Sequence, residues 1–296
     1  MNTQLFFQYF VAGVTYGAIY AIVAIGFNII YNTTGIINFA QGEFVMLGAM
    51  TAVTLNNFIP LPVAIILAVI ITIIIGALIE ILFIRWLVSP SVLRMIIITI
   101  GLSIVIREVA LHIWGDGIYA LPYFTGTALK TLSVGGVFIS PQILWVLGIC
   151  SITVIILNLY FKYTLMGRKM RACASNRSAA RLCGINAKNM VTLSFMLSAG
   201  IGAIAGCIVS PITYVQYDSG TPLAIKGFTV AIFGGLGNSM AAVVAGLILG
   251  ILESFSIWLM PTAFKDVISI SILLFILFVK PSGIFGNKEA LNLKEF

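Results

Sequence analysis

The chain has 296 residues, of which 60% are hydrophobic and 8% are charged, and its formal net charge is +7. About a quarter of the residues of soluble proteins are charged, so this composition excludes a soluble globular protein and indicates an integral membrane protein. Basic residues beside membrane spans are the usual sign of topology, so the positive charge predicts contact with the lipid bilayer and no nucleic-acid partner.

Apolar runs long enough to cross a membrane follow one another along the chain. A helix needs roughly 20 apolar residues to cross a hydrocarbon core about 30 Å thick. The eight runs are residues 5–30, 36–55, 61–84, 95–114, 143–161, 191–212, 228–260, which is interrupted at 234–239, and 267–279. We therefore predict a single all-α polytopic transmembrane domain over residues 1–296, with about 8 transmembrane helices and with broken or re-entrant segments.

Polar side chains open the second apolar run. Asn38, Gln41 and Glu43 stand at the mouth of a stretch that is otherwise apolar. Polar groups at membrane depth are costly unless they face protein or water, so these three residues are candidates to line a substrate pathway or to pin a helix end. A second interpretation places Gln41 and Glu43 in the first helical turn, where an anion near the N-terminus gains roughly 0.3 to 1 kcal/mol. Both interpretations stay open, and they are compatible.

Five other ionisable residues lie within apolar runs. They are Glu80, Arg107, Glu108, His112 and Glu253. Glu108 and His112 are four positions apart and share a helix face, so a proton relay between them is one interpretation. The interpretation we favour gives them contacts between helices or with the membrane interface. For Glu253, a structural role and a transport role stay equally open.

A basic segment provides the clearest topological signal. Residues 162–188 contain seven basic side chains and no acidic one, so they predict a cytoplasmic loop over 162–190. The basic residues are Lys162, Arg168, Lys169, Arg171, Arg177, Arg181 and Lys188. Counting spans back from this loop places residues 115–141 outside, where 131–140 predict a small hairpin around Gly135-Gly136.

The basic segment also has internal order. Ser175 or Asn176 can cap the N-terminus of a short helix, and Gly184 can end it. Small and apolar residues between them give this helix a face that a solvated loop does not need. Such a helix is suited to insertion into a cleft of another protein. A topological signal alone explains the charge but not this pattern.

The seventh apolar run is broken by glycines. Gly234, Gly235, Gly237 and Asn238 lie at membrane depth, where glycines let a helix break and expose backbone groups, as transporters do at central sites. We therefore predict that these four residues belong to the substrate pathway. Other glycines have the GxxxG spacing that predicts only close helix packing, and these pairs are Gly13/Gly17, Gly202/Gly206 and Gly246/Gly250.

Motifs for catalysis are missing from the sequence. It contains no G-x-x-x-x-G-K-[ST] phosphate loop, no G-x-S-x-G elbow and no H-E-x-x-H helix. Its one histidine and its four cysteines, which have no C-x-x-C spacing, predict neither a metal site nor a catalytic cluster. We therefore predict no enzyme activity, no catalytic residues and no cofactor for this chain, which argues against a membrane enzyme.

Several short segments together resemble the permease subunits of branched-chain amino acid ABC importers of the LivH type. The segments are 35–43 with Gly48, Gly167 with 170–172, 179–185, 203–206, Phe228 with 234–237, 246–253 and 281–286. Their order and spacing extend over nearly the whole chain. The chain departs from the family at Ser239-Met240, where a proline or a further glycine is common.

The resemblance implies a multi-pass permease of the bacterial inner membrane with three kinds of partner. These are a second permease subunit (LivM-like), two cytoplasmic ATPase subunits and an external substrate-binding protein. It also implies that residues 175–185 are the cytoplasmic coupling helix that docks on an ATPase. The residues expected at this coupling contact are Arg171, Ala179, Ala180, Arg181, Leu182 and Gly184.

The expected function is ATP-driven import of leucine, isoleucine and valine. ATP hydrolysis is expected in the separate ATPase subunits. Within the same family, a permease for urea or short amides is the alternative. An alternative from another class is a secondary transporter that works without an ATPase, in which Glu108 and His112 are the coupling groups.

Overall fold

The computed structural model of the protein describes residues 3–86, 92–126, 132–134, 137–259, 261, 264–280 and 283–284. These residues form eleven α-helices and one two-stranded β-hairpin. The helices are α1 Thr3–Thr34, α2 Gln41–Asn56, α3 Leu61–Ile79, which continues as a π-helical turn at Glu80–Ile84, α4 Val92–Trp114, α5 Pro141–Tyr163, α6 Leu165–Ser175, α7 Arg177–Leu182, α8 Ala187–Val209, α9 Gly220–Gly234, α10 Ser239–Leu259 and α11 Lys265–Val279. The predicted all-α polytopic membrane fold is confirmed.

Among the described residues, six helices are long and apolar enough to cross a membrane. They are α1, α3 with its π-helical turn, α4, α5, α8 and α10. Helices α2, α9 and α11 have 16, 15 and 15 residues and are shorter than a full crossing requires. Helix length therefore does not establish the predicted number of eight crossings. The interrupted seventh run forms two helices, α9 and α10.

Helix α1 is the centre of the bundle, with α10, α8 and α9 packed around it. Its contact with α10 is antiparallel and close, because glycines face each other across it. A Cβ atom on Gly13 would lie 2.7 Å from the Cα of Ile251, and one on Gly17 would lie 2.7 Å from the carbonyl oxygen of Gly246. The GxxxG pairs therefore bring two backbones together, as their spacing predicts.

Helices α3, α4 and α5 form the outer side of the bundle and expose large apolar side chains. Ile66 of α3, Ile97 of α4 and Ile155 of α5 are each more than half exposed. Such surfaces are rare in water-soluble monomers and are suited to contact with lipid or with another membrane subunit. The apolar composition of these helices is therefore explained by what surrounds the bundle and not by burial inside it.

The two ends of the bundle carry different structures. Helices α6 and α7 cover one end, which we call the basic end because the basic segment lies there. The last turn of α1 reaches this end, and so does the connection between α9 and α10. At the opposite end, strands β1 (Leu132–Val134) and β2 (Val137–Ile139) pair antiparallel, which confirms the predicted hairpin, although Gly135 and Gly136 lie outside the described residues.

Candidate transport and coupling site

The connection between α9 and α10, residues 235–238, is a glycine turn clasped by two asparagines of α1. The Gly237 N–H donates to Oδ1 of Asn28 at 3.0 Å, and its carbonyl accepts from Nδ2 of Asn32 at 2.9 Å. Nδ2 of Asn28 also donates to the Asn238 carbonyl at 3.3 Å, and Oδ1 of Asn238 caps α10 by accepting from the Ala241 N–H at 3.1 Å. The backbone groups freed by the helix break are therefore satisfied within the protein.

Glycine is required in this turn for two reasons. Gly235 and Gly237 have φ angles of 98° and 91°, a region that residues with a Cβ atom rarely adopt. Gly234 packs directly on α10, where a Cβ atom would lie 2.8 Å from the carbonyl carbon of Ala241. Side chains at these positions would either strain the turn or separate α9 from α10.

A cavity of about 430 Å³ lies beside the glycine turn at the basic end. Helices α1, α5 and α6 form its other walls. Met170, Arg171 and Ala174 of α6 line it together with Gly237 and Asn238 of the turn. The structure therefore brings Arg171, a predicted coupling residue, together with two of the predicted pathway residues.

The other predicted pathway residues do not line this cavity. Gly234 and Gly235 lie at the end of α9 and in the turn, and Asn38, Gln41 and Glu43 lie at the start of α2 or just before it. Nε2 of Gln41 donates to the Ser198 carbonyl at 3.2 Å. The Ser198 hydroxyl lies within hydrogen-bond distance of both Oε1 of Gln41 and the Gly26 carbonyl. Oδ1 of Asn38 accepts from the Ala40 N–H at 3.1 Å, one residue before α2 begins. Asn38 and Gln41 are thus buried against protein and hold the helix end.

Glu43 occupies the first turn of α2 and is 1% exposed. Its Oε1 accepts from the Ser103 hydroxyl of α4 at 2.8 Å. Its Oε2 is buried without a hydrogen-bond partner among the described residues; the nearby charge of Arg107 is favourable, and Asp218 is a neighbour of like charge. The helix-dipole interpretation and the buried polar interpretation therefore both describe this carboxylate.

The basic segment, residues 162–188, forms two helices where the sequence suggested one. Asn176 separates them and caps α7, because its Oδ1 accepts from the Ala179 N–H at 2.9 Å. Gly184, with a φ of 78°, ends α7, and the Ile185 N–H donates to the Ala180 carbonyl at 3.0 Å. The second proposed cap and the glycine stop are confirmed, whereas α6 was not expected as a separate helix.

The residues predicted at the coupling contact are mostly exposed. Leu182 is 89% exposed, which is unusual for a leucine at the end of a short helix. Ala180 is only 4% exposed and faces its own chain, so the predicted apolar surface of α7 does not include it. The remaining members, Arg171, Ala179, Arg181 and Gly184, are exposed.

A buried group of charges, which we call the ion network, joins α9, α10 and α11. Nζ of Lys226 lies 2.7 Å from Oε1 of Glu253 and 2.9 Å from Oδ1 of Asp266. The Tyr20 hydroxyl of α1 donates to Oε2 of Glu253 at 2.6 Å, and the Ser269 hydroxyl donates to Oε1 at 3.0 Å. Glu253 therefore has a structural role. Sequence reasoning missed Lys226, whose one signal is a cation in an apolar helix.

The other ionisable residues in apolar runs contact either their own helix or a neighbouring helix. Nδ1 of His112 lies 2.7 Å from the backbone oxygen of Glu108, so its ring meets the peptide group and not the carboxylate. Both residues are exposed. Oε2 of Glu80 accepts from the Thr192 hydroxyl of α8 at 2.6 Å. This geometry does not form a carboxylate–imidazole relay.

Comparison with known proteins identifies the class. The family model described as "Branched-chain amino acid transport system / permease component" matches residues 9–277. The permease protein LivH of Salmonella typhimurium is 31% identical over 96% of both chains, and BraD of Pseudomonas aeruginosa is 30% identical over 96% of this chain and 97% of its own. Both are named as permease proteins of high-affinity branched-chain amino acid transport systems.

The fold and these similarities define a multi-pass permease of the inner membrane. The chain belongs to the family of branched-chain amino acid transport system permease components, and it is a LivH-type permease subunit of an ABC transporter. A solved complex of PsaBC from Streptococcus pneumoniae with Fab aligns with 94% of this chain and 91% of its own at 12% identity. Its TM-score of 0.45 is too low to bear on fold or function.

Proposed function

We propose that this chain forms half of the membrane pathway of an ATP-driven importer that brings leucine, isoleucine and valine into the cell. The observation that carries the proposal is the cavity shared by α6 and the glycine turn. Helix α6 and the break between α9 and α10 line the same cavity, and α6 packs on α1, whose Asn28 and Asn32 hold Gly237 of the break. A movement of α6 is therefore passed to the break through α1.

The mechanical connection runs from α7 through α6 and α1 to the turn. Leu182 and Ala179 present apolar surface beside the guanidinium of Arg181, a combination suited to a cleft in an ATPase subunit. Helix α7 packs on α6, and α6 packs on α1 and α5. ATP binding that draws the ATPases together would push α6 against the glycine turn and so change which side of the membrane the pathway faces.

The other partners follow from the family. We propose a second permease subunit of LivM-like fold, two ATPase subunits that hydrolyse ATP, and an external protein that captures the substrate. The permease itself supplies a passage that binds weakly, because it must release its cargo. The relatives' names support branched-chain amino acids as cargo. The alternative is a permease for urea or short amides, and a substrate-competition experiment distinguishes the two.

A secondary transporter is the alternative from another class, and the structure offers it little support. Such a transporter needs a titratable pair inside the pathway. The ring of His112 instead contacts the backbone of Glu108, and both side chains lie on an exposed face of α4. We therefore favour coupling through α7.

Uptake of radiolabelled leucine by cells that express the complete transporter tests the proposal. Ala179→Arg adds a bulky charge to the exposed surface of α7, and we expect uptake to fall at least tenfold while the amount of permease in the membrane is unchanged. Asn57→Arg adds the same side chain to an exposed position at the opposite end and serves as the matched control. Full uptake by the Ala179→Arg variant, or uptake that persists without ATP, would refute the proposal. If excess urea inhibits the uptake and excess isoleucine does not, the cargo is urea or a short amide and not a branched-chain amino acid.

A further inference from the structure

The cavity at the basic end has the size of a small-molecule site. Its volume of about 430 Å³ lies within the range of roughly 300–1,000 Å³ that is usual for such sites. One wall is aliphatic and includes Ile29 of α1, Leu157 of α5 and Met170 of α6. This wall is suited to a branched hydrocarbon chain.

Polar groups without partners converge on the same space. The guanidinium of Arg171 and the amide of Asn158 make no hydrogen bond or ion pair with any residue that the structure describes. Asn32 uses its Nδ2 atom to hold Gly237, and its Oδ1 atom makes no hydrogen bond within the described part of the chain. The cavity therefore combines one cation, free amide oxygens and an aliphatic wall.

We propose that this cavity binds one free branched-chain amino acid that enters from the basic end. The proposal rests on the proposed function, which makes that end cytoplasmic and makes such amino acids the product of transport. The α-carboxylate pairs with Arg171, and the α-ammonium group is held by amide oxygens of Asn32 and Asn158. The branched side chain packs on the aliphatic wall.

Binding at this place has a mechanical consequence. The ligand contacts α1, α5, α6 and the glycine turn at once. It therefore stabilises the position of α6 relative to the turn that this structure shows. Transport requires α6 to move against that turn. Accumulated product therefore slows further import, because each occupied cavity holds the moving parts together.

A lipid acyl chain is the rival occupant of an apolar space near a membrane surface. It fits this cavity poorly because the amide of Asn158 and the Oδ1 atom of Asn32 line it without hydrogen-bond partners among the described residues. An acyl chain would remove these groups from water without giving them a hydrogen bond, which is unfavourable. An amino acid satisfies them.

Binding of radiolabelled leucine to the purified transporter in nanodiscs, without the external binding protein, is the direct test. We expect saturable binding that isoleucine and valine displace. Asn158→Leu, at an exposed position that tolerates the change, and Ala174→Phe, which fills the cavity, should each weaken it at least tenfold. Asn57→Leu at the opposite end is the matched control.

A second measurement links the site to transport. In vesicles preloaded with leucine, the initial ATP-driven uptake rate of the wild type should fall at least threefold relative to empty vesicles, whereas in Asn158→Leu this ratio should be close to one. Absent binding, binding that neither variant weakens, or phospholipid that copurifies with the wild type and is lost in Asn158→Leu would each overturn the proposal. Normal ATP-driven uptake alongside any of these results leaves the proposed function intact, so the two failures are distinguishable.

Discussion

Removing the carboxylate of Glu253 tests whether the ion network holds the helices together. Glu253 is fully buried and Lys226 is 8% exposed, so Glu253→Leu leaves a buried ammonium group whose remaining carboxylate, Asp266, is mostly exposed. It also leaves the Tyr20 hydroxyl without its acceptor. Breaking a buried ion pair from one side costs about 3–5 kcal/mol.

That free energy converts into a measurable shift. For a chain of this size, 1 kcal/mol corresponds to about 2 °C, so the apparent Tm of the purified protein in detergent should fall by about 6–10 °C. The double variant Lys226→Met with Glu253→Leu removes both members of the closest ion pair and should recover more than half of this loss, although Lys265, 3.8 Å from Oε2 of Glu253, also loses its partner. Asp266→Asn, at the exposed edge of the network, should cost less than about 1 kcal/mol.

Differential scanning fluorimetry at one scan rate compares these variants under identical conditions. An apparent Tm for Glu253→Leu within 2 °C of the wild type would show that the network contributes little to stability. A double variant as unstable as Glu253→Leu would show that packing around the carboxylate, and not its charge, is what the structure requires.

Three further changes test the packing and the basic segment. Gly250→Leu should destabilise the protein by about 1–3 kcal/mol because its side chain would meet the backbone of α1, whereas Gly148→Ala, which has open space, should not lower the apparent Tm. Cys183 is exposed and should react with a maleimide near neutral pH; burial raises the pKa of Cys173, so site-resolved mass spectrometry should find Cys173 labelled only as pH rises. Asn176→Ala removes the cap of α7 at a cost of about 1 kcal/mol and should lower transport-coupled ATP hydrolysis without changing the amount of permease in the membrane.

Much of the local structure was predictable from the sequence. The apolar runs locate the long apolar helices, because the length and composition of such a helix can be read from consecutive residues. Asn176 and Gly184 mark the limits of α7 because caps act within one helical turn. The pairing of β1 with β2 and the helix break after Gly234 follow from short-range sequence signals in the same way.

The candidate site was only partly predictable. The glycine turn and Arg171 were identified separately, but their meeting at one cavity was not. The polar pattern of Asn38, Gln41 and Glu43 fits a pathway lining and a helix end equally well. Their contacts with α8 and α4 became known only from the structure. Ala180 looked like part of an exposed surface because helical spacing does not say which side faces the bundle.

The sequence alone determined that this is a polytopic membrane protein, where its long apolar helices lie and where its basic segment is capped, because these properties arise from residues close together in the chain. Only the tertiary structure decided that Asn28 and Asn32 clasp Gly237, more than 200 positions away, and that Lys226 pairs with Glu253. Many arrangements of apolar helices bury the same hydrophobic surface. The close approach of glycines and the pairing of buried polar groups select one of them.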